Sequence, residues 1–329
     1  MRRRPFLVFG VAGVAALPMA LQAQTRPTAP RIGILMAYEP DDAEARARVA
    51  AFIQELGKLG WNEGKNLRLE YRWAGGDTAR MAAHATEFAS MRPDVILAAT
   101  TPVVRSLLQA TRTVPVVFLS VSDPVGDGFV KSLAQPGGNA TGFINIEASM
   151  AGKWVELTKE IAPGISAVSI VFNPKTAAGG GAYFIGAFEK AARALKLEPR
   201  TAPVQDADAL DGVVASLGRD AALIVMPDSF NVVHRKRIIS LTARHRTPTI
   251  YPYRYMAVDG GLLSYGVDLT DMYRRAAPVV HEILRGGQPS DLPIQAPSKF
   301  ELVINARTAK ALGIVPPPQL LARADEVIE

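Results

Sequence analysis

The side chains that could do chemistry in this 329-residue sequence are few in kind. There is no cysteine, and there are four histidines. A disulfide, a thiolate nucleophile, a Cys-ligated metal and a lipid-modified N-terminal cysteine are therefore excluded. His84, His234, His245 and His281 fall on predicted helices without metal-ligand spacing, so no metal is expected. No Gly-x-Ser-x-Gly nucleophile elbow occurs. The first apolar run leads into Ala37-Tyr38-Glu39-Pro40, not into the glycine-rich turn of a dinucleotide site. Gly179-Gly180-Gly181 follows Lys175-Thr176, the reverse of a phosphate loop, and reads as a flexible loop before a helix. No catalytic constellation and no cofactor is expected.

What remains is a set of hydroxyls, carboxylates and phenols at the ends of apolar runs. In the first half these are Tyr38, Thr100-Thr101-Pro102, and Ser120-Val121-Ser122-Asp123-Pro124. In the second half they are Asn173-Pro174-Lys175, Asp228-Ser229-Phe230 and Tyr251-Pro252-Tyr253, with Tyr265 on a later strand. Such groups recognise a solute by hydrogen bonding. Thr100, Thr101 and Ser122 suit a carboxylate, because Pro102 opens a helix whose first N–H groups are free; Thr101 could equally be a plain helix cap. Asp123 or Asp228 would take an ammonium, although Asp123 before Pro124 also suits a turn. Tyr38, Tyr251 and Tyr265 would wall the site, with Asn173 and Ser229 beside them.

These positions make sense only if the runs are strands of open α/β sheets, where ligands bind beyond the carboxyl ends. The pattern supports this. Strands are predicted at Arg31–Met36, Leu67–Trp73, Asp94–Ala99 and Val114–Leu119, with helices at 41–59, 77–90 and 103–112 between them. After the turn Gln135-Pro136-Gly137-Gly138-Asn139 the alternation restarts. Strands follow at Val168–Phe172, Ala222–Met226, Thr249–Tyr251 and Leu262–Gly266. Helices lie at 150–161, 182–195, 207–217, 232–244 and 272–284, and residues 300–329 add a strand and short helices. The expected architecture is two Rossmann-like lobes with parallel sheets. The extra C-terminal segment implies three crossings, near Thr141–Phe143, Leu263–Val267 and Ala296–Phe300. Lobe 1 is then 31–142 plus 265–297, and lobe 2 is 143–264 plus 298–329.

The N-terminus carries an address. Arg2-Arg3-Arg4 precedes an uncharged run from Phe6 to Ala20, too short for the roughly 20 residues of a bilayer span. A signal peptide over 1–23, cleaved after Ala23, and a linker over 24–30 are expected, placing the mature chain in the periplasm. Arg3-Arg4-Pro5-Phe6-Leu7 leaves general secretion and the twin-arginine route both open. Removing the signal lowers the net charge from +6 to about +3, and the remaining basic residues are interspersed with acids, so no nucleic acid is expected.

Several blocks in order resemble the periplasmic substrate-binding proteins of ABC transporters, in the group that includes tryptophan- and tyrosine-binding members. They are Leu59-Gly60-Trp61-Asn62-Glu63-Gly64-Lys65-Asn66-Leu67, Glu70-Tyr71-Arg72-Trp73, Asp123-Pro124-Val125, and Pro136-Gly137-Gly138-Asn139-Ala140-Thr141-Gly142. The C-terminal blocks are Leu302-Val303-Ile304-Asn305, Ala309-Lys310-Ala311-Leu312-Gly313 and Arg323-Ala324-Asp325-Glu326-Val327-Ile328. The resemblance implies a type I periplasmic binding protein (Venus flytrap) fold, a monomer not embedded in the membrane, and a permease and ATPase as partners. It implies capture of a small molecule, with an amino acid or related organic acid as candidate, and no catalysis. A sensory binding protein presenting the ligand to a membrane receptor, and a secreted α/β enzyme, are the alternative readings.

Overall fold

The computed structural model describes residues 29–329; the expected signal peptide (1–23) and residues 24–28 of the expected linker lie outside the described residues. The first apolar runs build β1 (Arg31–Met36), α1 (Ala43–Lys58), β2 (Arg68–Trp73), α2 (Thr78–Met91), β3 (Val95–Ala99), α3 (Thr101–Ala110), β4 (Val116–Val121) and β5 (Ala140–Ile144). The sheet order is β2-β1-β3-β4-β5, parallel throughout. Strands β3, β4 and β5 are buried at every residue, as a sheet covered on both faces requires. Carboxylates start the helices: Asp42 accepts from Ala45 N at 2.8 Å, and Asp77 accepts from Ala79 N and Arg80 N. Gly33 lets Phe88 of α2 lie against β1, since a Cβ there would stand 2.9 Å from the ring.

The second lobe contains α4 (Met150–Ile161), β6 (Ala167–Phe172), α5 (Ala182–Ala194), β7 (Glu198–Pro203), α6 (Ala209–Ser216), β8 (Ala221–Val225), α7 (Ser229–Val233), α8 (Arg235–Arg244), β9 (Thr249–Tyr251), α9 (Arg254–Val258) and β10 (Leu263–Val267). After α10 (Leu269–Leu284) come β11 (Phe300–Asn305), α11 (Ala306–Leu312), α12 (Pro318–Arg323) and β12 (Glu326–Ile328). The second sheet runs β12-β11-β10-β9-β8-β6-β7, with β10 and β11 antiparallel.

The chain passes between the lobes three times. It leaves the first sheet after Ile144 and returns at Asp268, because α10 packs on α1 and against β3, β4 and β5. Gln295 then lies beside β5, exchanging backbone bonds with Gly142 O and Ile144 N, before β11 rejoins the second sheet. The first two passages fall a few residues later than the sequence pattern suggested, since β5 and β10 each complete their pairing before the chain turns away.

Two local differences have physical causes. Strand β7 lies outside the strands expected from sequence; it carries Pro199 and Pro203, which its position at the sheet edge, paired only with β6, tolerates. The helix predicted over 232–244 is two helices meeting at His234, because Asp228 caps the chain earlier by accepting from Asn231 N at 2.8 Å.

A candidate ligand-binding cleft between the lobes

The carboxyl ends of β1, β3 and β4 face those of β6, β8 and β9 across a narrow cavity between the lobes. Tyr38, Thr100, Thr101 and Ser120 line it from the first lobe; Thr176, Ala178, Pro227, Asp228, Ser229, Val232 and Tyr253 line it from the second.

Three hydroxyls at this cavity are buried and have no partner: Thr100 Oγ1, Ser120 Oγ and Ser229 Oγ. An unpaired buried polar group costs about 1–3 kcal/mol, so three at one cavity suit a polar solute. The backbone is also held under strain there. Thr100 has φ 87 and ψ 150, a region that glycine alone occupies readily, and Ser120 has φ 57. Ser120 lies where the β4–β5 pairing slips between Phe118 and Val121. Opposite, Gly142 comes so close to Phe118 that a Cβ would stand 2.0 Å from its carbonyl oxygen. Thr100 occupies the N-cap position of α3 but makes no capping bond, and Thr101 is already helical. Thr101 is therefore not the cap that the sequence left open.

Strain at Thr100 leads to a direct expectation. Thr100→Gly should raise the melting temperature of the unliganded protein, by the 1–3 kcal/mol typical of such strain less the added entropy of glycine. It should also weaken solute binding by removing a hydroxyl from the cavity. Calorimetry and titration of the same variant check both signs, and a variant that melts lower would remove strain as the explanation.

Asp228 is fully buried and holds two loops of the second lobe together. Its Oδ1 accepts from Asn231 N at 2.8 Å and Thr176 Oγ1 at 3.2 Å; its Oδ2 accepts from Asn173 N at 3.0 Å and Asn231 Nδ2 at 3.3 Å. Burial pushes its pKa up to about 7, against the pull of those donors.

Of the positions singled out from sequence, Tyr38, Thr100, Thr101, Asp228 and Ser229 line the cavity. The other five do not, each for a visible reason. Ser122 donates to Asn145 Oδ1 at 3.0 Å, and Asn145 Nδ2 donates to Tyr253 OH at 3.0 Å, so Ser122 braces the first crossing. Asp123 closes a turn by accepting from Gly126 N at 2.8 Å. Asn173 spends its side chain on Gln205 O and Lys175 N. Tyr251 is buried in the second lobe, its hydroxyl 2.9 Å from Thr242 Oγ1; Tyr253 takes its place at the cavity. Tyr265 stacks on Phe300.

The sequence reading missed Ser120, Thr176, Ala178, Pro227, Val232 and Tyr253 as wall residues. Ser120 and Tyr253 stood within the strand ends already identified, so proximity was the available signal. Ala178 reaches the wall on a tight turn, Ala178–Gly181, in which all three glycines have positive φ. The run read as a flexible loop is a defined turn whose backbone requires glycine.

A buried ion pair joins the lobes, and Asp259 of the second lobe steadies its arginine. Arg235 of α8 donates to Asp42 Oδ2 at 2.7 Å and to Asp259 Oδ2 at 3.0 Å, with the Arg235 and Asp42 side chains 9% and 10% exposed. Burial raises the Asp42 pKa, but the Ala45 N–H and Arg235 together outweigh it, leaving a net lowering. Among the described residues, no grouping of three or more His, Cys, Asp or Glu could hold a metal ion, and no helix is long and apolar enough to cross a membrane.

Two α/β lobes, a strained hydroxyl-lined cavity between them and an ion pair joining them define a two-lobed binding protein. The chain belongs to the family described as ABC transporter substrate binding protein, whose signature matches residues 32–328. It is 26% identical over 267 residues to a tyrosine-binding protein of Clostridioides difficile, covering 80% of this chain and 75% of that one. A conserved domain protein from Vibrio cholerae has a similar structure (TM-score 0.84, 27% identity, 91% of this chain and 99% of that one). So does an ABC domain in complex with L-Trp from Streptococcus pneumoniae (TM-score 0.82, 23% identity, 91% and 99%).

Proposed function

We propose that this chain captures an α-amino acid, or a zwitterion of similar build, between its lobes and delivers it to a membrane permease and its ATPase from the periplasm. The observation that carries this reading is the pairing, at one cavity, of partnerless hydroxyls with a buried carboxylate. Thr100 Oγ1, at the N-terminal end of the ten-residue α3, and Ser120 Oγ of β4 suit a carboxylate. Asp228 and Ser229, on the facing lobe, suit an ammonium. Tyr38 and Tyr253 flank the remaining space and would contact the solute's side chain. The tyrosine-binding relative and the L-Trp complex support an amino acid. Family membership supports delivery to a transporter.

Binding in a closing cleft works by difference: only contacts made better in the closed state drive closure. The solute would satisfy hydroxyls of both lobes at once, which it can do only when they meet. A melting-temperature screen against the amino acids, purines and small organic acids tests the reading. A shift with one or a few amino acids is expected, of about 2–4 °C for each kcal/mol of ligand stabilisation. No shift with any amino acid would overturn it.

A further inference from the structure

Arg48 is buried on the core face of α1, 1% exposed, yet neither Nη1 nor Nη2 has a hydrogen-bond partner. Its Nε alone is engaged, donating to Glu44 O at 2.9 Å. The rings of Tyr38, Tyr255 and Tyr273 surround the guanidinium at 5.1, 5.4 and 6.0 Å. The aromatic faces and the neighbouring Tyr38 hydroxyl offset only part of the charge. The Tyr255 hydroxyl is likewise buried without a partner. A buried cation with its donors unmet is among the costliest arrangements in a protein.

Both residues line a second, small pocket at the hinge, bounded by both lobes. Leu269 and Thr270, in the first turn of the 16-residue α10, line it too, so the positive end of that helix borders the same space. The other charged groups around it are mostly engaged elsewhere. Asp268 caps α10 at 3.0 Å and lies 3.7 Å from Lys299, Glu301 pairs with Lys299 at 3.0 Å, and Arg254 pairs with Glu326 at 2.7 Å. Glu44 is the one carboxylate of the pocket in no ion pair.

We infer that this hinge pocket binds one small monovalent anion, of halide or formate size. Arg48 Nη1 and Nη2, the Tyr255 hydroxyl and the first turn of α10 are its donors. Water alone would satisfy the bonds but add no negative charge beyond that of Asp42, which Arg235 already shares. A dianion or a bulky acid would meet Glu44, Asp268 and Glu301 at the rim. The site is separate from the solute cleft, with Tyr253 forming a wall common to both.

The test uses the full chain without any solute. Crystals soaked in sodium bromide should show an anomalous peak within about 3.5 Å of Arg48 Nη1 or Nη2, and excess formate should remove it. The melting temperature should rise by about 3 °C between roughly 5 and 200 mM bromide, relative to sodium gluconate at equal ionic strength. Arg48→Met should lose that difference; should this variant fail to fold, the two wild-type measurements decide alone. Absence of the peak, with water or the Glu44 carboxylate on Arg48 instead, overturns the inference. So does identical melting in bromide and gluconate.

Discussion

Asp228→Asn is expected to weaken binding of an ammonium-bearing solute by about 10²–10³-fold, the scale found when one partner of a buried charge pair is removed. The four donors around Asp228 all require an acceptor. An asparagine keeps one oxygen and turns an amide NH₂ toward either the donors or the incoming ammonium. In the wild type, Thr176 provides the room: its hydroxyl has a second acceptor, Asn173 O at 3.4 Å, and can swing there as the solute arrives.

The pH dependence makes the expectation sharper. With a pKa pushed up by burial to about 7, Asp228 is half protonated at neutrality, while an α-ammonium stays charged. Affinity should rise about tenfold per pH unit below 7 and level off above it. The effect on the unliganded fold runs the other way. A raised carboxylate pKa contributes stability that is fully present below the unfolded value near 4 and is lost as pH rises through 7. Asp228→Asn should flatten both profiles. Titration calorimetry at pH 5, 6, 7 and 8 reads the first, and unchanged affinity in the variant would show that the ammonium does not meet Asp228.

Arg235→Met should weaken binding by a comparable factor through a different route. Arg235 satisfies Asp42 of one lobe and Asp259 of the other side of the contact, and methionine would leave two neighbouring carboxylates without their cation. Breaking such a buried pair costs about 3–5 kcal/mol, borne by the closed state, in which the lobes meet. Solute should therefore leave faster, with the association rate little changed, and small-angle scattering should show a larger radius of gyration in the unliganded variant. Asp42→Asn isolates the charge, because asparagine still caps α1 through Ala45 N. Its dissociation rate should rise in the same direction. The contact should also weaken in acid, as pH falls through the lowered pKa of Asp42, since its stabilising effect is present above the unfolded carboxylate value and lost below the folded one. Dissociation rates equal to wild type in both variants would mean the ion pair does not hold the lobes closed.

Much of this architecture is legible along the chain because its causes are local. Apolar runs of five or six residues alternating with amphipathic helices specify parallel sheets, and a strand's last residue marks where ligands are met. Tyr38, Thr100, Thr101, Asp228 and Ser229 all stand at such strand ends. The sequence also contained an unread signal: Arg48 sits among Ala45, Val49 and Phe52 on the apolar face of α1, where a charge has no local reason to be.

What the chain's neighbours could not decide was which of several adjacent polar residues turns toward the cleft. Ser120 faces it and Ser122 braces the hinge because the β4–β5 pairing slips at a bulge, beside which Gly142 of the other strand lies close against Phe118. Tyr253 faces it and Tyr251 does not, because Thr242 of α8 lies within hydrogen-bond distance of the Tyr251 hydroxyl. The Arg235–Asp42 contact joins residues 193 positions apart. Sequence by itself determined the two lobes, the strand ends and the family. Only the tertiary structure decided the wall of the site, because that wall exists where two separately wound sheets are pressed together, and each side chain's direction there is set by packing partners remote in the chain.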